Sequence, residues 1–185
     1  MSSQPSVVSS HRPFEGRVFN VRIDRLAYPD GQEYQIDVVE HGPSFAILAT
    51  PGPDRLVLVR QYRHAVAATL WELPAGTAHP GEDPLKGAAR ELAEETGYRA
   101  GVLKPLASLY VTPGFCDEVM HFVHASELAP GEQMLDEDER IEVAVVTRDE
   151  AWRLVAQGEI ADMKTVLALH WMEGSRGELA GSFGR

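Results

Sequence analysis

The sequence predicts an α/β layered domain, and two features of the chain carry this prediction. Short apolar runs typical of buried strands alternate with segments of helical periodicity, which is the arrangement of helices packed on a sheet. The clearest helix lies between Asp83-Pro84 and Gly97, which are strong helix start and stop signals. The 185 residues suffice for one domain with a proper hydrophobic core.

A hairpin is predicted ahead of the main domain. Residues 1–13 are rich in Ser and Pro, and we expect them to be loose. Residues 17–23 and 35–39 have the composition of strands, and the segment Tyr-Pro-Asp-Gly at 28–31 is a strong turn signal. Because two strands alone are marginally stable in water, this hairpin, at about 14–41, must pack on the main domain or on a second subunit.

The main domain is expected to span residues 42–173. Strands are predicted at 44–49, 56–62, 102–111, 119–124 and 141–146, and helices at 84–96, 148–157 and 162–172. The acidic stretch at 128–140 has the composition of a solvated loop. From residue 174 the chain is rich in Gly and Ser, and we expect a flexible tail.

The helix predicted over 84–96 has two different faces. Its apolar stripe consists of Leu85, Ala88, Ala89, Leu92 and Thr96. Glu91, Glu94 and Glu95 are spaced at i, i+3 and i+4, so their carboxylates lie side by side on a neighbouring face. Like charges at this spacing cost roughly 0.2–0.5 kcal/mol per pair. Three converging carboxylates therefore favour a site for a hard divalent cation, which prefers oxygen ligands.

The segment from Gly76 to Tyr98 resembles the Nudix box at every defined position. The matching residues are Gly76, Glu82 and the run Arg90-Glu91-Leu92-Ala93-Glu94-Glu95-Thr96-Gly97-Tyr98. The resemblance extends over about residues 44–173. It implies a Nudix-type α/β/α sandwich around a mixed β-sheet, here with an N-terminal β-hairpin extension. It also implies an enzyme that hydrolyses a nucleoside diphosphate linked to another moiety.

The resemblance also assigns roles within the box. Glu91, Glu94 and Glu95 would hold Mg²⁺ or Mn²⁺, with the carbonyl of Ala75 as a backbone ligand. Arg90 would form an ion pair with Glu82 that orients the loop and the helix. Arg90 and Glu94 are also counted with the catalytic residues. A bound divalent cation bridges diphosphate oxygens and lowers the pKa of an attacking water.

Three further segments resemble the ADP-ribose pyrophosphatase branch of this family. They are residues 59–63 with 70–76, residues 112–118, and residues 136–142. In that branch the third segment carries a catalytic glutamate. We favour Glu139 over Glu137 as the general base, because Glu139 is closer to the start of the following strand, where the backbone is better fixed.

Substrate contacts are predicted from the same resemblance. Arg63 is assigned to the phosphates, because its guanidinium is a forked donor, and Glu72 is a further substrate contact. Phe19 and Ile36 would flank the base, and Asp37 would bind a ribose hydroxyl. The terminal ribose would be surrounded by Pro113, Gly114 and Phe115. Ordinary packing is an equally good explanation for Phe19 and Ile36. Cys116 stands beside the last group and is expected to be an inert small filler.

Composition limits the possible partners and compartment. The net charge of −11 argues against binding to nucleic acid or to an anionic membrane. The single cysteine excludes an intrachain disulfide and favours a reducing compartment. No apolar run approaches the ~18 residues of a membrane span, and the N-terminus has no apolar core of a secretory signal. We expect a cytoplasmic protein.

The expected function is metal-dependent hydrolysis of ADP-ribose to AMP and ribose 5-phosphate by a homodimer that uses the N-terminal hairpin. Branches that cleave GDP-mannose or other nucleoside diphosphate sugars share much of the first and third segments, so that alternative stays open. A Nudix-fold sensor that binds a nucleotide without cleaving it is a further alternative. The complete metal set of the box favours an enzyme.

Overall fold

The structure is a computed structural model that describes residues 4–135 and 140–174. Its strands are β1 Ser6–Glu15, β2 Phe19–Ala27, β3 Glu33–His41, β4 Ser44–Ala49, β5 Arg55–Arg63, β6 Ala68–Glu72, β7 Ala75–Thr77, β8 Tyr98–Tyr110, β9 Val119–Pro130 and β10 Glu142–Thr147. Its helices are α1 Pro84–Thr96, α2 Arg148–Gln157 and α3 Met163–Gly174. The predicted mixed α/β class is confirmed, with the ends of several predicted strands shifted and with β1, β6 and β7 added.

The chain divides into two compact units. The first contains the residues up to Pro43 together with Leu109–Met120. The second contains Ser44–Ser108 and the residues from His121 onward. Within the described residues, no helix is both long enough and apolar enough to cross a membrane.

The first unit contains an antiparallel sheet with the strand order β1-β2-β3. The predicted hairpin is present as β2 and β3. The turn between them is also confirmed, since the Gly31 amide donates to the Tyr28 carbonyl at 2.9 Å. Gly31 has a φ of 84°, a left-handed conformation that glycine adopts without steric cost.

The prediction that residues 1–13 are loose is wrong for most of that segment. Ser6–Glu15 form β1, which pairs with β2. Every residue of β1 is exposed, so no buried apolar alternation marks this strand in the sequence. Backbone hydrogen bonds to β2 and polar side-chain contacts hold this strand in place. One such contact is the hydrogen bond that Arg12 Nε donates to Glu40 Oε2 at 2.7 Å.

The second unit contains two sheets, with the strand orders β10-β5-β6 and β7-β4-β9-β8. All six residues of β4 are buried, and so are Leu56, Val57, Leu58 and Val59 of β5. These continuous apolar runs are typical of strands that are covered on both faces. Helix α1 packs against β4 and β7, and α2 packs against β10 and α3.

Helix α1 begins and ends where the sequence predicts. The Asp83 carboxylate accepts hydrogen bonds from the Leu85 and Lys86 amides, both at 3.1 Å. Gly97 ends the helix with a φ of 74°. Gly87 faces β4 so closely that an added Cβ would lie 2.2 Å from the Phe45 ring. The absence of a side chain at Gly87 therefore allows the short distance between α1 and β4, and this distance sets the position of the carboxylate face relative to the sheet.

Candidate active site

Arg90 ties the loop before α1 to the helix. Its Nε and Nη2 donate to the two oxygens of Glu82, each at 3.0 Å. The His79 amide donates to Glu82 Oε2 at 2.9 Å. The hydrogen bond from Arg90, followed by that from the His79 amide, lowers the pKa of Glu82 to about 2. The pKa of Arg90 is raised, first by the same bond to Glu82. The predicted loop–helix ion pair is therefore present.

Arg90 also bridges two of the three clustered glutamates. Its Nη1 lies 2.9 Å from Glu91 Oε1 and 2.8 Å from Glu94 Oε2. The side chains of Glu91 and Glu94 are 13% and 36% exposed. One guanidinium thus offsets the repulsion between carboxylates that helical spacing forces together.

Glu95 is the most buried of the three, at 3% exposure. Its Oε2 accepts a hydrogen bond from the Ala75 amide at 2.9 Å. This contact places the backbone of Ala75 beside the carboxylate face of α1. Gly76 follows, and an added Cβ there would fall 2.0 Å from Glu91 Cδ. The glycine of the motif is required because the Glu91 carboxylate occupies the space that a side chain would need.

The donor set suits a hard divalent cation, because all three side chains on this face of α1 offer carboxylate oxygens. The residues that the structure describes contain no group of three or more His, Cys, Asp or Glu already arranged around a metal position. Glu91 and Glu94 are paired with Arg90 instead. Their chemistry fits the cation, and binding would require them to exchange that partner.

Arg63 and Glu72, both predicted substrate contacts, form a forked ion pair. Arg63 donates through Nε to Glu72 Oε1 at 2.9 Å and through Nη2 to Oε2 at 2.8 Å. Lys164 of α3 also contacts Glu72 Oε2 through Nζ, at 2.5 Å. Lys164 is in turn 3.0 Å from Asp162 Oδ1. The result is a chain of four charged side chains, two of each sign.

The protonation of Glu72 is set by opposing effects. Burial, at 2% exposure, raises its pKa, but hydrogen bonds and charges from Arg63 and Lys164 outweigh burial and leave the pKa below its ordinary value. The pKa of Arg63 is raised, first by its bond to Glu72, and the charges of Glu95 and Asp162 add to that effect. Glu72 is therefore ionised at neutral pH.

The other predicted substrate residues lie in the first unit. Ile36 shares a cavity of about 350 Å³ with Pro113, Gly114 and Phe115. The remaining lining residues are Val38, Tyr110, Cys116 and Asp117. Cys116 is a buried free thiol. The structure therefore brings Ile36 together with the predicted ribose-binding segment.

Phe19 and Asp37 are not among the residues that line this cavity. The Phe19 ring packs against Phe14, with the centroids 5.8 Å apart. Asp37 is exposed and accepts a hydrogen bond from Gln35 at 3.1 Å. Because neighbouring residues of a strand point to opposite faces, Asp37 is directed away from the face of Ile36. The two predicted general bases, Glu137 and Glu139, lie outside the described residues.

Lys164, Asp162 and Thr165 were missed by the sequence analysis. The Thr165 hydroxyl accepts from the Leu73 amide at 2.8 Å, so the first turn of α3 contacts the segment that precedes the box. One signal was available, since Lys164 is the only lysine or arginine in α3, whose other residues are mostly apolar. Its partner lies 92 residues earlier, which local patterns cannot reveal.

Comparison with known proteins agrees with this fold. A model of the NUDIX domain matches residues 40–169. The chain therefore belongs to the Nudix family, which confirms the predicted class of hydrolase. An ADP-ribose pyrophosphatase of Bacillus subtilis (strain 168) is 35% identical over 174 residues, with 93% of this chain and 94% of the relative covered.

Two other similar proteins extend the comparison. A methanol dehydrogenase activator of Bacillus methanolicus is 35% identical over 172 residues, covering 92% of this chain and 93% of the relative. A crystal structure described as an ADP compounds hydrolase superimposes with a TM-score of 0.82 at 24% identity, covering 94% of this chain and 97% of that chain. This last likeness confirms the fold.

The ion pair at Glu82 gives a prediction for stability against pH. The folded pKa of about 2 lies below the ordinary value of 4.5. Ionised Glu82 therefore contributes stability that is fully present above pH 4.5 and is lost as the pH falls towards 2. The metal-free wild type should be more stable than Glu82→Gln at neutral pH, and this difference should shrink on acidification.

Urea unfolding across this pH range measures the difference. Glu159→Gln serves as a control, since Glu159 is exposed and the described residues give it no ion pair. Its stability should differ little from the wild type at any pH. A Glu82→Gln difference that stays constant down to pH 2 would contradict the assignment of the low pKa to this ion pair.

Proposed function

We propose that this chain hydrolyses the diphosphate bond of ADP-ribose, giving AMP and ribose 5-phosphate, in a metal-dependent reaction. The observation that carries the proposal is the intact carboxylate face of α1, supported on one side by Arg90 and on the other by Ala75. The similarity to an ADP-ribose pyrophosphatase over nearly the whole chain supports the choice of substrate.

Glu91, Glu94 and Glu95, with the carbonyl of Ala75, would hold Mg²⁺ or Mn²⁺. When bound, the cation would neutralise charge on the diphosphate and lower the pKa of the attacking water. Glu95 is already aligned with Ala75 through the 2.9 Å hydrogen bond. Arg90 would give up its contacts with Glu91 and Glu94 to the cation and keep its hydrogen bonds to Glu82, so that the helix and its preceding loop stay in one arrangement.

Arg63 is assigned to the diphosphate. Its side chain is 40% exposed, so part of the guanidinium is accessible while Glu72 holds the other part. Removal of a proton from the attacking water is assigned to Glu139, with Glu137 as the second choice. A base within reach of that proton typically contributes ~10²–10⁴-fold to the rate.

Selectivity among sugars has to come from the ends of the substrate, because contacts to the diphosphate are the same for every candidate. Pro113, Gly114 and Phe115 are assigned to the terminal ribose. Proline fixes its backbone φ and stiffens this wall. A wall stiffened in this way would suit a compact furanose better than a hexose.

A substrate panel tests this assignment. In millimolar Mg²⁺ or Mn²⁺, kcat/KM for ADP-ribose should exceed that for ADP-glucose and GDP-mannose by at least about tenfold, roughly 1.4 kcal/mol of transition-state binding. Nucleoside triphosphates should be poor substrates because they lack the second sugar. Chromatography should identify AMP and ribose 5-phosphate as products.

The panel also separates the alternatives. A preference for a hexose sugar would contradict the ADP-ribose assignment and leave the family membership intact. Binding of ADP-ribose without turnover at any metal concentration would favour the sensor. Glu95→Gln is the matched control for contaminating hydrolases, because activity that belongs to this chain should fall by orders of magnitude in that variant.

We further propose a homodimer that forms through the N-terminal sheet, in a cytoplasmic protein. The sheet and the connection between β1 and β2 carry exposed apolar side chains that a second copy would cover: Val7, Val8, Phe14, Val18 and Tyr34. The single thiol, Cys116, suits a reducing compartment.

Sedimentation velocity at micromolar concentration should give the mass of a dimer. Replacing Val7 and Val8 by Ser should shift the protein towards monomer, since their side chains are 62% and 52% exposed and would be covered only by a second copy. A wild-type monomer under these conditions would refute the dimer.

A further inference from the structure

The first turn of α3 holds the segment that connects β6 to the box. Lys164 contacts the Glu72 carboxylate, and the Thr165 hydroxyl accepts from the Leu73 amide at 2.8 Å. Asp162 Oδ1 accepts from the Thr165 amide and from Lys164 Nζ, both at 3.0 Å. This turn therefore fixes both a charged side chain and the backbone two residues ahead of Ala75.

Glu72 lies at the centre of the contacts. Its side chain is 2% exposed, and a carboxylate so deeply buried is costly unless opposite charges surround it. Arg63 and Lys164 both supply such charge, and Lys164 is itself only 12% exposed. Glu72 is thus paired with one cation that is nearly buried and one that is partly open to solvent.

Arg63 is held on one edge only. Its Nε and Nη2 are bound to Glu72, whereas Nη1 donates to no residue within 4–135 or 140–174. Glu72, which holds Arg63, precedes Ala75 by three residues, and the Ala75 amide donates to Glu95 of the carboxylate face at 2.9 Å. A forked donor that is anchored on one edge presents its other edge in a defined direction.

We propose that Lys164 is a positioning residue that acts through Glu72 to aim the free edge of Arg63 at the diphosphate of the substrate. Lys164 compensates the buried charge of Glu72 from the side of α3. Arg63 is then not the only cation available to Glu72, and part of its guanidinium can bind a phosphate oxygen without leaving a buried carboxylate unpaired. This proposal rests on the assignment of Arg63 to the diphosphate in the proposed function.

Without Lys164, Glu72 would retain Arg63 as its only cationic partner among the described contacts. Arg63 alone would then neutralise the buried charge of Glu72. Its interaction with Glu72 would become stronger, and its contact with the substrate would weaken. Contacts of this kind are made in both the bound substrate and the transition state. Their loss raises KM more than it lowers kcat.

The test uses Arg63→Met, Lys164→Met and the double variant in the full-length protein with Mg²⁺. The substrate is ADP-ribose, or whichever nucleoside diphosphate sugar of the panel is turned over best.

Lys164→Met should raise KM roughly tenfold with kcat changed less, the loss expected for a weakened hydrogen bond to a charged group. Lys164→Arg should restore much of the affinity. Lys104→Met is the control, since Lys104 is exposed and lies outside these contacts.

The double variant distinguishes positioning from a structural role. If Lys164 acts through Arg63, Lys164→Met should add little to the KM of Arg63→Met. Fully additive effects, or a Lys164→Met variant with a lower melting temperature and unchanged KM, would overturn the proposal. If Lys164→Met does not fold, Lys164→Gln retains a donor for Glu72 and should raise KM by a smaller factor, and an unchanged KM there would equally overturn it.

Failure of the proposed function gives a different result. An unchanged KM in Arg63→Met would show that Arg63 does not bind the diphosphate, and the role of Lys164 would be refuted with it. A raised KM in Arg63→Met beside an unchanged KM in Lys164→Met would refute the role of Lys164 alone.

Discussion

The arrangement of this site depends on one ion pair, between Arg90 and Glu82. Two donors of the guanidinium hold Glu82, each at 3.0 Å, and the remaining terminal nitrogen reaches Glu91 and Glu94. The same side chain therefore fixes the loop before α1 and offsets the repulsion within its carboxylate face. Without Arg90, Glu91 and Glu94 would lose the cation that offsets their repulsion, whereas Glu95 would keep its hydrogen bond to the Ala75 amide.

A second set of contacts supports the site through the segment that connects β6 to Ala75. The buried Glu72, its two cations and the Thr165 hydroxyl hold the segment that leads to Ala75, and the Ala75 amide in turn holds Glu95. Buried charges contribute little net stability, because desolvation costs about as much as the pairing returns. We interpret these contacts as positional: they fix the backbone of Ala75, whose amide holds Glu95 of α1, and they hold the guanidinium of Arg63 on Glu72.

The elements that were predictable from the sequence are those whose signals lie in neighbouring residues. Helix α1 was predictable because its caps at Asp83 and Gly97 are signalled by adjacent residues, and β4 and β5 because their apolar runs are continuous. Strand β1 was not predictable, since all of its residues are exposed and carry no apolar alternation. The role of Lys164 was also hidden, because its contact with Glu72 spans 92 residues. The choice between Glu137 and Glu139 remains a prediction from the sequence.

A titration with Mn²⁺ monitored by electron paramagnetic resonance measures whether the carboxylate face of α1 binds a divalent metal. We expect the wild-type protein to bind Mn²⁺ in competition with Mg²⁺, and its melting temperature to rise with metal concentration. Glu95→Gln should lose both responses, and Glu159→Gln should retain them. Equal Mn²⁺ binding in the wild type and in Glu95→Gln would show that this face is not the metal site.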